Sequence, residues 1–501
     1  MMYKFSNHHN TKSKGSLLLG VIFFSAIGIT LVSAFVGWSV TLYKTSRTVL
    51  QREQAFMIAE AGIDYYRWHL AHDQDDFQDG TGQPGPYVHD FEDKDGVVIG
   101  SFSLDITPPD VGSTVVTITS TGTVLADPTI SRTIESRLAI PSFAKWAVVA
   151  NADMRFGEGT EMYGPVHSNG GIRFDGIAHN VVTSSQTSYD DPDHDESGAD
   201  TMEHGVHTHV RPPPATGSYT SAVSAEAPPN PVAVRNDIFS AGREVSVPTV
   251  DFVGITSDLA QIKTDAQASG HYVASSGSQG YRILFKTNDT YDLYRVTRLQ
   301  SQGSCNAPSS GTSGQTGWGT WSIRSSGGQT LLGTYAIPSN GLIFVEDHVW
   351  VEGQINTARV TVAAGAFPDN VSTRKSITIN NDLLYTNYDG TDVISLISQN
   401  NINVGMVSDT NLRIDAAMIA QNGRAGRYYY GSSCSPYHNR SSITLYGMIG
   451  TNQRYGFAYT DDTGYADRYI TYDSNLLYSP PPSFPLTSDA YTTISWREVK
   501  E

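Results

Sequence analysis

The sequence predicts an α+β protein that is mostly β, with one long N-terminal helix, a small antiparallel sheet and a large β domain. Residues 15–43 carry no charged side chain, and an amphipathic stretch follows them. Apolar and polar residues alternate through much of 102–140, which is typical of strands with one buried face. Short Val, Ile and Leu runs bounded by Gly, Asn or Asp recur after residue 341, which indicates a large β-rich body.

Length and charge limit the possible functions. A chain of 501 residues has room for two or three domains. Its net charge of -17 at pH 7 makes it a poor match for the phosphate backbone of nucleic acid. We therefore expect no nucleic-acid partner.

The first 43 residues predict a membrane-spanning helix. Lys4, Lys12 and Lys14 form a short basic leader, and the apolar run that follows is longer than the about 7–15 residues of a conventional secretory signal. It also exceeds the ~20 residues that a helix needs to cross a bilayer. An uncleaved anchor helix with a cytoplasmic N-terminus fits this length and charge.

Two short motifs resemble a known family. Residues 14–19 (KGSLLL) resemble the type IV prepilin junction, where a membrane peptidase cuts after the glycine. This resemblance implies, as the alternative to an uncleaved anchor, a leader of residues 1–15 that is removed by a cut between Gly15 and Ser16. Residues 54–62 (QAFMIAEAG) are similar to the A-x-x-A-E-A-G stretch of PilX-like minor pilins. The resemblance implies a minor pilin or pseudopilin of a type IV pilus or type II secretion-like filament. Other pilins and prepilin peptidase would be its partners. It also implies a single-pass inner-membrane protein that later reaches the pilus or extracellular surface, with the C-terminal domain outside the cytoplasm.

One residue departs from that family pattern. The family usually has Glu at the fifth mature position, which here is Gly20. The resemblance implies that this carboxylate neutralises the terminal amine of a neighbouring subunit, since a buried charge without a partner is costly. A subunit with no neighbour beyond it can lack the acid. We therefore expect a position at or near the filament tip, with the β-rich region displayed for adhesion to a surface or glycan, or for assembly.

The helix is expected over 16–70. Apolar residues recur every seven positions from Val49 to Leu70, so this part has one apolar face. The alternative for this half is a helix that packs on its own sheet. The residues assigned to the filament-core face are Phe56, Ala59, Glu60 and Ile63.

Repeats and local composition divide the rest of the chain into segments. The sequence Met154-Arg-Phe recurs 18 residues later as Ile172-Arg-Phe, as expected for stacked coils, and we expect a right-handed parallel β-helix, with a β-sandwich as the alternative. The predicted segments are a β-meander at 71–141, first coils at 142–182, a polar and Pro-rich insertion or linker at 183–250, a short helix, hairpin and Ser/Gly-rich loop at 251–340, and the main solenoid with an aromatic-rich cap at 341–501.

An acidic run suggests a calcium site. Asp191, Asp193 and Asp195 could supply oxygen ligands to Ca²⁺. The EF-hand pattern fails, because Glu196 stands where a glycine is needed. The alternative is a solvated acidic loop.

Three histidines suggest a transition-metal site. His204, His207 and His209 have imidazole groups that suit Zn²⁺ and related ions. The alternative is a set of polar histidines beside a proline-rich linker. Apart from Ca²⁺ at the acidic run, or a transition metal at these histidines, no cofactor is expected.

The two cysteines leave a further choice open. Cys305 and Cys434 could form a disulfide in an exported protein, contributing roughly 4–5 kcal/mol by the chain-entropy model, or remain separate thiols. Motifs of hydrolases and nucleotide-binding enzymes are not found in a convincing context, so no catalytic residue is assigned. An anchored carbohydrate-active enzyme is the least favoured alternative, because it rests on fold analogy with other β-helices.

Overall fold

A computed structural model describes residues 15–110, 113–193, 202–219, 226–252, 254–305, 315, 317–486 and 490–500. The predicted leader before Gly15 and Asp195 of the predicted calcium set lie outside these residues. The chain divides into two compact units. The first comprises Met1–Pro108, Val116–Leu138 and Thr493–Glu501, and the second comprises Pro109–Val115 and Ala139–Thr492.

Among the described residues, the N-terminal half contains one helix and fifteen strands. They are α1 (Gly15–His72), β1 (Tyr87–Glu92), β2 (Val98–Thr107), β3 (Val116–Val124), β4 (Asp127–Ala139), β5 (Val148–Ala150), β6 (Met154–Phe156), β7 (Thr160–Tyr163), β8 (Val166–Ser168), β9 (Ile172–Phe174), β10 (Ile177–Ala178), β11 (Val182–Ser184), β12 (Ser188–Asp190), β13 (Met202–His204), β14 (Val206–His207) and β15 (Arg243–Glu244).

The C-terminal half adds one helix, sixteen strands and two 3₁₀ turns at Ser432–Cys434 and Ser474–Leu477. The elements are α2 (Gly254–Ser269), β16 (His271–Val273), β17 (Gly280–Lys286), β18 (Thr290–Val296), β19 (Gln329–Ala336), β20 (Leu342–Val345), β21 (Val349–Gln354), β22 (Arg359–Ala364), β23 (Ile377–Thr378), β24 (Leu383–Leu384), β25 (Val393–Ser398), β26 (Ile402–Val404), β27 (Asn411–Ala420), β28 (Ala425–Arg427), β29 (Asn439–Thr451), β30 (Gly464–Tyr472) and β31 (Thr492–Val499).

The first unit is a helix on a five-stranded sheet of order β1-β2-β3-β4-β31. Strands β1 to β4 form an antiparallel meander, as Leu104 opposite Ser120 and Val116 opposite Leu138 show. Their inward side chains alternate with outward ones, which gives the sheet one buried face. The predicted meander is present with four strands instead of the three that the sequence suggested, and β31 adds a fifth strand to the sheet.

The last strand joins this sheet from the far end of the chain. In β31, Arg497 Nη2 lies 2.8 Å from Glu135 Oε2, and Glu498 pairs with Arg132. The expectation that 341–501 forms only solenoid and cap is therefore wrong for its last residues. Pairing with β4 is a contact between distant parts of the sequence, and a single strand gives no local sign of its partner.

Small residues let α1 lie close to the sheet. Ala55 and Ala59 are fully buried, and the backbone of both lies against Gly122 of β3. Gly62 lies over Ser120, so that an added methyl group would meet its hydroxyl at 2.3 Å. The Ala-Glu-Ala-Gly stretch therefore has a direct packing role, since only side chains of this size permit such an approach.

The second unit is a parallel solenoid. One ladder runs β16, β20, β22, β25, β27 and β29, with each strand parallel to the next. Its interior is a continuous apolar core, to which nearly every coil contributes Val, Ile or Leu. The parallel ladders confirm the solenoid and exclude the β-sandwich alternative, and the fold class is α+β and mostly β, as predicted.

The coils do not stack in sequence order. Strand β5 pairs in parallel with β29, with Val148 opposite Ile449, and β7 pairs with β30, with Met162 opposite Ile470. The ladder then continues through β8 and β11 to β15. The coils that come first in the sequence therefore stack on the last ones.

Two predicted segment types need correction. Part of 183–250 belongs to the solenoid, because β14 extends β9 and β15 extends β11. The segment 251–340 contains the predicted helix and hairpin, and β19 pairs with β18 to make a three-stranded antiparallel extension. Leu259 and Ile262 of helix α2 pack with Phe344, which points outward from its coil. Together they form part of a second apolar cluster, on the outside of the solenoid.

Candidate functional site

The first half of α1 is exposed and apolar. From Leu17 to Leu50 every side chain is exposed, apart from half-buried Gly20, and the first charges are Lys44 and Arg47. Among the described residues, α1 is one helix that is long and apolar enough to cross a membrane, by length and composition. Exposed apolar surface on this scale is rare in a monomer in water, which indicates a lipid or protein environment.

The second half of α1 belongs to the first unit's own core. Ala59 and Ile63 are buried against the sheet, and Phe56 is half-buried with its ring 5.9 Å from that of Trp496. Glu60 is exposed. The four residues predicted to line a filament core therefore differ in their surroundings. Ala59 and Ile63 pack on the helix's own sheet, as the alternative proposed, whereas Glu60 is exposed.

A buried cluster brings together residues from two separate sequence motifs. Asp191 follows β12, His207 lies in β14, and His209 comes two residues later. One potential ligand atom from each of these residues lies within 4.8 Å of the others, and all three residues are buried. His207 Nε2 is 3.4 Å from Asp191 Oδ2, and the rings of His207 and His209 are 5.2 Å apart.

The strand pattern explains how these side chains meet. In β14, Val206 points into the solenoid core, so His207 points to the outer face of the coil. The β12–β13 hairpin covers that face, with the Tyr189 ring packed on Gly171 and 5.5 Å from His207. His207 is therefore outside the apolar core and yet fully shielded from water.

The charges around the cluster oppose one another. Burial disfavours ionised Asp191, but a hydrogen bond from His207, the amide of Asp193 and the nearby Arg173 outweigh it and lower its pKa. Glu203 lies beside Asp191 and accepts a hydrogen bond from its amide at 3.3 Å. Burial and then the Asp191 charge raise the pKa of Glu203 to about 7.

Sequence reasoning missed two residues of this neighbourhood. Arg173 Nε donates to Asp175 Oδ2 at 2.7 Å, and Asp175 Oδ1 accepts the His209 amide at 2.8 Å. An Arg-x-Asp pair on a strand recurs as Arg413 and Asp415. Because residues two apart on a strand share a face, this spacing was a usable signal.

The remaining predicted ligands lie elsewhere or cannot be placed. Asp193 faces the guanidinium groups of Arg454 and, at 3.6 Å, Arg155. His204 is buried, which lowers its pKa, but it is not one of the three clustered residues. With Asp195 outside the described residues, the calcium set stays a prediction.

Cys305 and Cys434 form a disulfide. It ties the Ser/Gly-rich segment to the 3₁₀ turn before β29, where Met406, Tyr428 and Tyr430 surround it. Tyr428 and Tyr430 belong to the aromatic-rich part of the C-terminal region, and both are buried. They therefore pack over a solenoid corner and do not present their rings at the surface.

Four charged residues of the solenoid coils each have structural partners. Asp347 accepts from Ser276 Oγ at 2.6 Å, and Asp415 accepts from Tyr388 Oη at 2.7 Å. Glu352 pairs with Arg282, and Arg359 donates to the Pro480 carbonyl at 2.6 Å. These contacts explain the four residues as parts of coil and corner structure.

Comparisons with known proteins show no family for this chain. Neither a protein-family model nor a curated protein sequence matches the chain. Among solved structures, it is similar to the crystal structure of the competence-associated pilin ComZ from Thermus thermophilus, over 90% of this chain and 97% of that chain, with 13% identity and a TM-score of 0.30. Two backbones with so low a score share little geometry as wholes, so the function has to be argued from this chain's own residues.

Proposed function

We propose that the protein is a non-enzymatic minor pilin or pseudopilin, incorporated at or near the tip of a type IV pilus or type II secretion-like filament. The observation that carries this proposal is the division of α1. One continuous helix has an exposed apolar half from Leu17 to Leu50 and a second half packed on an antiparallel sheet. Such a helix can lie in a bilayer first and among other apolar helices later, while the sheet stays folded.

The prepilin-like junction supports the same proposal. The KGSLLL sequence at 14–19 stands at the start of α1, so a peptidase cut after Gly15 would leave the whole apolar helix on the mature chain. Gly20 in place of the usual Glu favours a terminal position, where no neighbouring amine needs a carboxylate. The solenoid would then be the displayed part, and adhesion or assembly its task.

Mass spectrometry of the mature N-terminus tests processing. We expect the chain to begin at Ser16 in cells that have a prepilin peptidase, and to begin at Met1 when that peptidase is deleted. Gly15→Val should block the cut, whereas Gly28→Val, the same change within the apolar run, should not. A wild-type chain that retains Met1 in the presence of the peptidase would instead support an uncleaved, membrane-anchored β-helix scaffold.

Sheared filaments test incorporation and position. Immunogold labelling of the solenoid should mark filament ends. Labelling along the filament would contradict the tip position, and absence from the sheared fraction would contradict filament membership.

Depolymerisation assays with the purified full chain on a panel of glycans address the least favoured alternative, an anchored carbohydrate-active enzyme.

A further inference from the structure

We propose that Asp191, His207 and His209 bind one transition-metal ion of the Zn²⁺ class between the outer face of the solenoid and the β12–β13 hairpin. The three residues are buried, and one potential ligand atom of each lies within 4.8 Å of the other two. This inference does not depend on the pilin proposal, because all three residues lie in the second unit and the site does not involve α1.

The backbone fixes the direction of the two imidazoles. His207 is held in β14 by parallel pairing with Arg173, and the His209 amide donates to Asp175 Oδ1 at 2.8 Å. Residues two apart in extended chain point to the same side, so both rings face the hairpin. Asp191 then approaches from the hairpin's first strand, where its Oδ1 accepts the amide of Asp193 at 3.0 Å.

The donor types select the class of metal. Two imidazole nitrogens and one carboxylate oxygen suit Zn²⁺, and also Fe²⁺, Ni²⁺ or Cu²⁺. Ca²⁺ prefers six to eight oxygen ligands, which this trio does not provide. A trio of protein ligands leaves a fourth position of a tetrahedral zinc for a water molecule.

The local charge also favours a cation. Asp175, Asp191 and Glu203 are buried carboxyl groups in this neighbourhood, and Arg173 lies near two of them. Arg173 is closest to Asp175, at 2.7 Å, and its distance to Asp191 is 3.7 Å. Adjacent buried carboxylates repel each other, and a divalent ion at Asp191 would offset that repulsion.

The competing explanation is an ion pair without metal. A protonated His207 could pair with Asp191 across their 3.4 Å contact. That arrangement uses one histidine and gives His209 no ligand role. The two explanations therefore differ in whether His209 matters for metal content.

The experiment measures metal in the full-length protein. The chain is purified in detergent through a tag that contains no histidine, in a His8→Asn/His9→Asn background, so that the N-terminal histidines do not contribute. After EDTA treatment and dialysis, Zn²⁺ binding is followed by isothermal titration, with bound metal quantified by mass spectrometry. We expect about one Zn²⁺ per chain, and Ca²⁺ should not displace it.

Matched variants locate the ion. His207→Asn and His209→Asn should each weaken Zn²⁺ binding by more than the about 10–100-fold that outer-shell changes cost. His204→Asn alters a buried histidine of the same hairpin outside the trio and should retain one Zn²⁺. Wild-type-like binding by His209→Asn, or an equal loss in His204→Asn, would overturn the proposal.

A spectroscopic measurement covers the case in which a variant does not fold. Co²⁺ bound to the wild type should show visible d–d bands of a four-coordinate nitrogen–oxygen site, and Zn²⁺ should abolish them. A wild-type protein that binds neither ion above the level of its blank would refute the site without any mutant.

Discussion

The carbonyl oxygen of Ala55 in α1 lies against the α-carbon of Gly122 in β3, so that a methyl group added to Gly122 would be 2.1 Å from that oxygen. This contact sets the distance between the helix and the sheet. Ala59, the first residue of the Ala-Glu-Ala-Gly stretch, lies against the same glycine. Packing inside the first unit therefore explains the small residues of this stretch, independently of what the exposed half of the helix contacts.

We predict that Gly122→Ala destabilises the protein by about 1–3 kcal/mol, because the helix must move or the sheet must bend to admit the methyl group. Chemical unfolding of the full chain in detergent, followed by the fluorescence of its tryptophans, measures this change. Gly456→Ala is the matched control, since nothing lies within 4 Å of the added carbon there. Equal stability of the two variants would show that the helix is not in close contact with β3.

His348 predicts a specific dependence of stability on pH. Burial, and then the charge of Lys375, lower its pKa to about 4, while Asp347 acts in the opposite direction. Its neutral Nδ1 accepts the amide of Ser376 at 3.0 Å, and its ring lies 5.1 Å from that of Trp321. Protonation of Nδ1 would turn it into a hydrogen-bond donor, which would then face the Ser376 amide, also a donor.

The sign follows from the two protonation states. The unfolded chain has a histidine pKa of about 6.5, so as pH falls below that value the unfolded state binds the proton first, and stability is lost until the folded pKa is reached. We expect up to about 3 kcal/mol from this residue between pH 6.5 and 4. His348→Gln should remove that part of the slope in unfolding measured over this range. A slope unchanged from wild type would contradict the assignment.

The Cys305–Cys434 disulfide should contribute substantially to the stability of the second unit. The two residues are 129 positions apart, so the bond restricts a long segment of the unfolded chain. We predict that reduction lowers the free energy of unfolding by about 2–5 kcal/mol. The Cys305→Ala/Cys434→Ala variant should have the stability of the reduced wild type and should not respond to reductant. If the double variant is as stable as the oxidised protein, the bond is not a structural one.

Removal of the exposed half of α1 should leave a protein that stays in solution without detergent. The apolar side chains from Leu17 to Leu50 are exposed, whereas burial in the first unit begins at Gln51. A chain that starts at Gln51 should elute as one species in size-exclusion chromatography. Aggregation of this fragment, with a native circular dichroism spectrum, would reveal a second apolar surface.

Local patterns predicted much of the fold. The charge-free run predicts α1, the alternation at Phe102 and Leu104 predicts β2, and the short apolar runs after Gly341 predict the coils. Each of these depends on residues close together in the chain. The type of each of these elements follows from local composition and periodicity.

Long-range relationships were not predictable in the same way. The pairing of Val148 with Ile449 joins residues about 300 positions apart, and either strand would look the same with another partner. The sequence placed Asp191 in a predicted calcium site and His207 in a predicted transition-metal site. That the two side chains lie close together follows from the fold and not from either motif. Tyr428 and Tyr430 were ambiguous for a similar reason, since a tyrosine suits a surface and a core equally well.

The return of the chain's end to its beginning has a consequence for biogenesis. Strands β5 and β7 each lack one neighbouring strand until β29 and β30 have been synthesised, and β4 lacks one until β31 has been synthesised. During synthesis, N-terminal segments are therefore made long before their partners, a topology associated with slow folding and temporary exposure of unpaired edges. We expect a polypeptide that ends before residue 439 to be more sensitive to proteolysis than the full chain, because neither unit can then be completed.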